Sequence, residues 1–271
     1  DWKVMAAVTN GTNYIRDLAE LYLPQEPRED DEAWQARIDR SVLSPYTSRL
    51  IETAAGAVLR KPIHIEGDPY WSEVALDIDG IGSNINEYAR RALVSSLTYG
   101  HSAILVDFPA ATGARNLAEE RAMGRRPYFV HVDAPQIWGW RKDDTNRLTQ
   151  IRIHDYEYRP LNEFGEEQVE VMRVIYPGRY DLYTLGQETV TFEESNGFSL
   201  DTIPVVPIYS NRRGVLISQP GLLDIANLNI THYQRQSDLI HALHIAAMPT
   251  LVLEGYSQDS SEATIGVNYA L

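Results

Sequence analysis

The sequence predicts an α+β protein: an N-terminal helical region, an antiparallel β meander, then one long helix. Three observations predict it. In the first hundred positions apolar residues recur at helical spacing, as in Val4, Val8, Gly11, Ile15, Leu18 and Tyr22. Between Tyr128 and Tyr209 apolar and polar residues alternate in short runs separated by turn-forming clusters. From Pro220 to Met248 no residue breaks a helix until Pro249.

The first helix is expected to carry the Val4-to-Tyr22 stripe, with Asn10-Gly11 as a weak point and Leu23-Pro24 as its end. An acidic loop, Gln25 to Asp31, follows, and Asp30 or Asp31 caps a second helix that turns Trp34, Ile38 and Val42 inward. Ser44-Pro45 opens a third, with Leu50, Ile51, Ala54, Val58 and Leu59 as its buried side and Lys61-Pro62 as its stop. Asn84-Ile85-Asn86-Glu87 has capping-box spacing, and Gly100 suits the position just past the helix that ends at Tyr99.

His101 to Phe108 then reads as a strand, and residues 109–126 as an insertion rich in Ala, Gly and Arg. The meander should comprise Tyr128–Asp133, Ile137–Lys142, Leu148–Tyr158, Gln168–Tyr176, Arg179–Leu185 and Val190–Glu194. A last strand, Ile203 to Tyr209, contains Pro204 and Pro207 and so belongs at a sheet edge. The helix from Pro220 would be a rod of about 40 Å at about 1.5 Å per residue. Leu223, Ala226, Ile230, Tyr233, Ile240 and Ala247 form its apolar stripe. Leu228, Leu239, Leu243 and Ala246 lie off that stripe, and Gln234 to Asp238 read as polar all round. Such a helix suits a strut between packed regions or within a ring better than a core.

Composition narrows the function. The chain has 271 residues, is 44% hydrophobic and carries a net charge of −14. That balance disfavours tight, static binding to a DNA backbone, which needs clustered Lys and Arg. The absence of Cys removes disulfides, thiolate metal sites and Cys nucleophiles. No run of 18 apolar residues marks a membrane span, and Asp1-Trp2-Lys3-Val4 is no signal peptide. Both chain ends are expected to be trimmed.

No catalytic motif is expected, and no cofactor. Walker, Gly-x-Gly-x-x-Gly, His-Glu-x-x-His and Gly-x-Ser-x-Gly patterns are all missing. His241 and His244, three apart, could share a metal with Asp238, but a packed or subunit-facing surface is the simpler reading; His101 reads as structural. Glu29 to Glu32 lack the ligand spacing of a calcium loop and read as a solvated, helix-capping run. Arg121, Arg125 and Arg126 form the one basic cluster, a candidate contact for phosphate or an acidic neighbouring subunit. Two other classes stay open: an assembly or adaptor component with a β-rich interaction domain, and a carbohydrate-active enzyme with Trp138, Trp140 and Tyr156 as its sugar platform.

Several segments, in order, resemble one family. They are Tyr22-Leu23-Pro24 with the acidic loop and the Trp34 helix, the stretch Thr53 to Pro62, and Tyr99-Gly100-His101 through Val106-Asp107. The last is Leu222-Leu223-Asp224 to His232-Tyr233 with Ser237-Asp238, His241 to His244 and Pro249. Together they resemble a subfamily of tailed-bacteriophage portal proteins, the head-to-tail connectors, over residues 10 to 255. The resemblance implies a homo-oligomeric ring of about twelve subunits at a capsid vertex. It also implies terminase, major capsid or scaffold protein and a tail adaptor as partners, and double-stranded DNA passing through the channel without sequence specificity. Localisation would be the virion, assembled in the bacterial host cytoplasm.

On that resemblance, residues 1–100 are the helical part of the wing, 101–215 its β-rich part, 216–248 a stem helix and 249–271 the start of the clip. A portal returns through a second stem helix, so the chain is expected to be truncated after the first. His232, Arg235, Asp238, His241 and His244 are the candidate subunit- or channel-facing residues. An acidic channel wall would repel phosphates and let the duplex slide.

Overall fold

The computed structural model describes residues 1–109, 119 and 123–247. The class is α+β, as the sequence predicts. The elements in chain order are α1 (Trp2–Thr9), α2 (Gly11–Asp17), α3 (Ala19–Tyr22), α4 (Asp31–Arg40), α5 (Tyr46–Val58), α6 (Pro69–Val74) and α7 (Ile85–Tyr99). Strands follow: β1 (His101–Asp107), β2 (Tyr128–Asp133), β3 (Ile137–Lys142), β4 (Leu148–Pro160), β5 (Glu166–Tyr176), β6 (Arg179–Leu185), β7 (Val190–Gly197) and β8 (Val205–Tyr209). A short hairpin, β9 (Arg212–Gly214) and β10 (Ile217–Ser218), leads to α8 (Leu223–Ala246). The chain divides into two compact units. The first is Asp1–Met5 with Ser48–Leu223, and the second is Ala6–Thr47 with the chain from Asp224.

The first unit is built on two antiparallel sheets. One has the order β2-β1-β8 and the other the order β3-β4-β5-β6-β7. The expected single meander is therefore divided: its first and last strands pair with β1, and only the middle five follow one another. The alternation of β1 explains the split. Ala103 and Leu105 join Ile137, Ile151, Ile153 and Ile175 of the five-stranded sheet in one core. Ile104, on the other face, packs against a cluster of Val74, Ile78 and Tyr88. The Ser102 hydroxyl, on that same face, donates to the Ala92 carbonyl of α7 at 2.9 Å. The proline-bearing β8 lies at the sheet edge, where a missing N–H costs least.

Helix α7 has the caps the sequence announces. The Asn84 side chain accepts from the Asn86 and Glu87 N–H groups, and Glu87 accepts from the Asn84 N–H. Gly100 ends the helix at φ 92°, and a Cβ there would meet Ser218 Oγ at 2.6 Å. A side chain at this position would be strained twice, by backbone and by contact.

The second unit is helical. Ile15, Ala19, Tyr22, Leu23, Ile38 and Leu43 are buried in it, together with Ala226, Ile230 and Tyr233 of α8. Four expectations are corrected here and along α5. The stripe from Val4 to Tyr22 runs through three short helices, because Gly11 takes φ 87° and Leu18 leaves helical geometry. Val42 is exposed and Leu43 is buried instead, because α4 ends at Arg40 and Ser41 is extended. In α5 the buried side is Ile51 and Ala55, while Leu50 and Val58 are exposed. The acidic loop is not wholly solvated either: Asp30 caps α4, but Glu29 turns inward onto Arg37.

Candidate functional site

Helix α8 is 24 residues long, about 36 Å at about 1.5 Å per residue. Its inner face is fixed within its own unit by apolar burial and by a row of polar contacts. Asn229 is 2% exposed. Its Oδ1 accepts from the Thr47 N–H at 3.2 Å and the Thr47 hydroxyl at 3.1 Å, and its Nδ2 donates to the Ser44 carbonyl at 3.0 Å. Ser41 Oγ donates to Ser237 Oγ at 2.8 Å, and Gln234 Nε2 to the Tyr22 carbonyl at 2.9 Å. The stretch from Gln234 to Asp238, which reads as polar all round, thus has one buried side. Short polar side chains there find fixed partners, which no hydrophobic periodicity records.

The outer face is open. Ile225, Leu228, His232, Arg235, Leu239, Ala242 and Ala246 recur every three or four residues along it, and all are exposed. Leu228 is 68% exposed, Leu239 58% and Leu243 59%. Alternating steps of three and four are the spacing by which one helix packs along another.

The five residues singled out from the sequence fall unequally on α8. Arg235, Asp238 and His244 are exposed, as is His232, which meets the Tyr46 ring edge-on at 5.3 Å. His241 is half-buried at the margin of the inner face, with its Nδ1 enclosed and without a hydrogen-bond partner in the structure. Among the described residues no three His, Asp or Glu side chains converge as metal ligands.

Of the basic cluster, Arg121 lies outside the described residues. Arg126 is committed to Asp77, donating to its carboxylate at 2.6 Å and to its carbonyl. Arg125 donates to the Pro109 carbonyl at 2.6 Å and lies over the Phe108 ring. His101 is buried and exchanges a 2.6 Å hydrogen bond with Ser218.

The five-stranded sheet carries surfaces that sequence reasoning did not place. Trp138 stacks flat on His154 at 4.2 Å, and His154 Nε2 meets Glu170 Oε1 at 2.6 Å. Strand pairing continues this row through Met172 and Tyr183 to Phe192. The expected sugar platform does not assemble as a set of three. Tyr156 joins Trp138 around His154, but a bulge between Ile137 and Gly139 puts Trp140 against the core. Beside this sheet lies a cleft of about 720 Å³, whose wall includes Leu105, Phe108, Arg125, Phe198, Leu200 and Pro204.

A family model described as a domain of unknown function, DUF4055, matches residues 221–271, which take in all of α8. A comparison with curated proteins finds no match. Among the described residues no helix is long and apolar enough to cross a membrane.

Proposed function

We propose that this chain is a structural subunit of a portal-type ring at a viral capsid vertex. In that role it forms part of the channel for DNA packaging and ejection. The observation that carries the reading is the two-sided build of α8. One side is locked into its own unit by Asn229, Tyr233 and Ser237, and the other presents Ile225, Leu228, Leu239 and Leu243 to solvent. An isolated monomer gains nothing from an uncovered apolar row on a helix so firmly held, whereas a ring of copies covers it. The net charge of −14 supports a wall along which duplex DNA slides without sticking. Terminase, capsid or scaffold protein and a tail adaptor would be the partners, and the virion the location, with assembly in the bacterial host cytoplasm.

The test is electron microscopy of the purified native gene product that contains this chain. Ring-shaped top views with a hole of about 20 Å or more, wide enough for a duplex whose major groove alone is about 12 Å across, are the expected result. Particles without a ring at any protein concentration would remove the reading.

A further inference from the structure

Three of the arginines on the strands of the five-stranded sheet are spent on carboxylates. Arg159 pairs with Glu193 at 2.7 Å and Glu157 at 2.9 Å, Arg173 with Asp107 at 3.0 Å, and Arg179 reaches Asp181 at 3.7 Å. Arg141 and Arg152 have no such partner among the described residues. For Arg141, which is exposed, that is ordinary. Arg152 is half-buried, and its Nε is enclosed without a hydrogen-bond partner. A guanidinium keeps its charge at any working pH, so partial burial without an anion is costly. In a chain with 38 Asp and Glu against 24 Lys and Arg, carboxylates are not in short supply.

The Arg152 head group is held in place nonetheless. It leans across the ladder onto Gly139 of β3, its partner in the strand pairing. A Cβ at Gly139 would lie 2.2 Å from Arg152 Nη2, 2.9 Å from Cζ and 3.1 Å from Nε. Only glycine leaves room for the guanidinium against the β3 backbone.

A second orphaned polar atom stands beside it. Gln150 precedes Arg152 by two residues on β4, on the same face and about 7 Å away at about 3.4 Å per residue. Its Nε2 donates to the Tyr176 hydroxyl at 3.0 Å, while its Oε1 is enclosed and meets no donor. Turned by half a revolution, the amide accepts the Tyr176 hydroxyl proton through Oε1 and directs its two N–H groups to the other side. Arg141 is the cross-strand partner of Gln150 and shares its face.

The carboxylates nearest in the fold are engaged elsewhere. Asp181 lies two strands from Arg152, through Val174, and is held by Ser195 at 2.7 Å and by Arg179. Asp143 serves the β3–β4 turn, where its Oδ1 accepts from the Thr145 and Arg147 N–H groups at 2.8 and 2.9 Å.

We propose that Arg152, with the Gln150 amide beside it and Arg141 at the rim, forms a binding site for a phosphate group on this sheet face. Two guanidinium groups and an amide approaching from different strands match a doubly charged, tetrahedral oxyanion better than a planar, singly charged carboxylate. The site lies on β3 and β4 and does not depend on the portal reading, which rests on α8.

Isothermal titration calorimetry of the native gene product with inorganic phosphate, at constant ionic strength in chloride, tests the site. Wild type should bind phosphate. Arg152→Met should weaken binding by about 10- to 100-fold, the scale of hydrogen bonds to a charged group, and Arg141→Ala by about 2- to 5-fold. In chloride alone Arg152→Met should unfold at the same urea concentration as wild type or a higher one, because it removes a half-buried charge that no anion offsets. Adenosine monophosphate separates the sources. Binding of phosphate alone assigns the site to the free ion, and equal or tighter binding of the monophosphate assigns it to a phosphate carried on a larger molecule.

Four outcomes overturn the proposal: no heat of binding with either ligand, unchanged affinity in Arg152→Met, acetate binding as tightly as phosphate, or marked destabilisation of Arg152→Met in chloride. The last would show that Arg152 already has its partner within the protein. Ring-shaped particles in the microscope, present or absent, leave this site untouched.

Discussion

Asn229 of α8 holds Thr47 by both its backbone N–H and its hydroxyl, while its own amide nitrogen is spent on Ser44. One side chain thus satisfies three groups at the entry to α5, where Thr47 is wholly buried. This sets the rotation of α8 about its axis, and so decides which residues its outer face presents.

The Asn229 contact is testable by truncation. Asn229→Ala leaves a buried N–H, a hydroxyl and a carbonyl without partners. It should lower stability by about 2–4 kcal/mol, since each orphaned buried group costs about 1–3 kcal/mol and water recovers part of that. Urea denaturation reads the change directly. A loss under about 0.5 kcal/mol, the range of a surface substitution, would show that the contact does not anchor the helix.

Glu29 and Arg37 make a two-pronged ion pair at 2.8 and 2.7 Å, with the two side chains 8% and 4% exposed. The Arg37 hydrogen bonds hold the Glu29 carboxyl below its ordinary value of 4.5. A depressed carboxylate contributes stability above its unfolded value and loses that contribution as the pH falls. Wild type should therefore lose stability from about pH 4.5 downward more steeply than Glu29→Gln. At neutral pH Arg37→Met should cost about 3–5 kcal/mol, because it leaves the buried Glu29 carboxylate without its partner. Parallel pH curves for wild type and Glu29→Gln would show that the pair does not act in this way.

Burial holds His101 below its ordinary value of 6.5. Its ring lies among Trp2, Tyr209 and Ser218, none of which carries charge at neutral pH. The unfolded chain takes up a proton on this ring near pH 6.5, whereas the folded chain resists it, so stability falls as the pH drops below that value. Thermal unfolding between pH 7.5 and 5.5 should show a decline in wild type that is shallower in His101→Gln. An equal decline in both would assign the acid sensitivity to other groups.

How far the sequence discloses this molecule varies by element. The α7 caps, the strands from β2 to β7 and the edge position of β8 follow from local chemistry: Asn84 with Glu87, Gly100, alternating runs and two prolines. The assignment of β2 and β8 to the β1 sheet does not, because an isolated strand carries no record of its neighbour. The inner face of α8 is half legible. Ala226, Ile230 and Tyr233 stand out at helical spacing, but Asn229 and Ser237 look like surface residues until Thr47 and Ser41 meet them. Of the candidate assembly surfaces, Leu228, Leu239 and Leu243 are visible in the sequence as residues off the main stripe.

The outer face of α8 yields the prediction that bears most directly on the portal reading. Leu228 and Leu239 are largely exposed, so changing both to Asp should leave the chain's own unfolding within about 0.5 kcal/mol of wild type, the usual range for surface positions. In an assembly the same two changes place carboxylates in an apolar seam, where an unpaired charge is costly. The double variant should then remain folded by circular dichroism and lose ring particles in the microscope. Arg235 and Asp238, one turn apart on the exposed side, refine the test. Reversing either charge should lower ring yield, and reversing both together should restore part of it, as exchange of a pair across an interface does. Full ring yield in Leu228→Asp/Leu239→Asp would mean that copies meet elsewhere than along the outer face of α8.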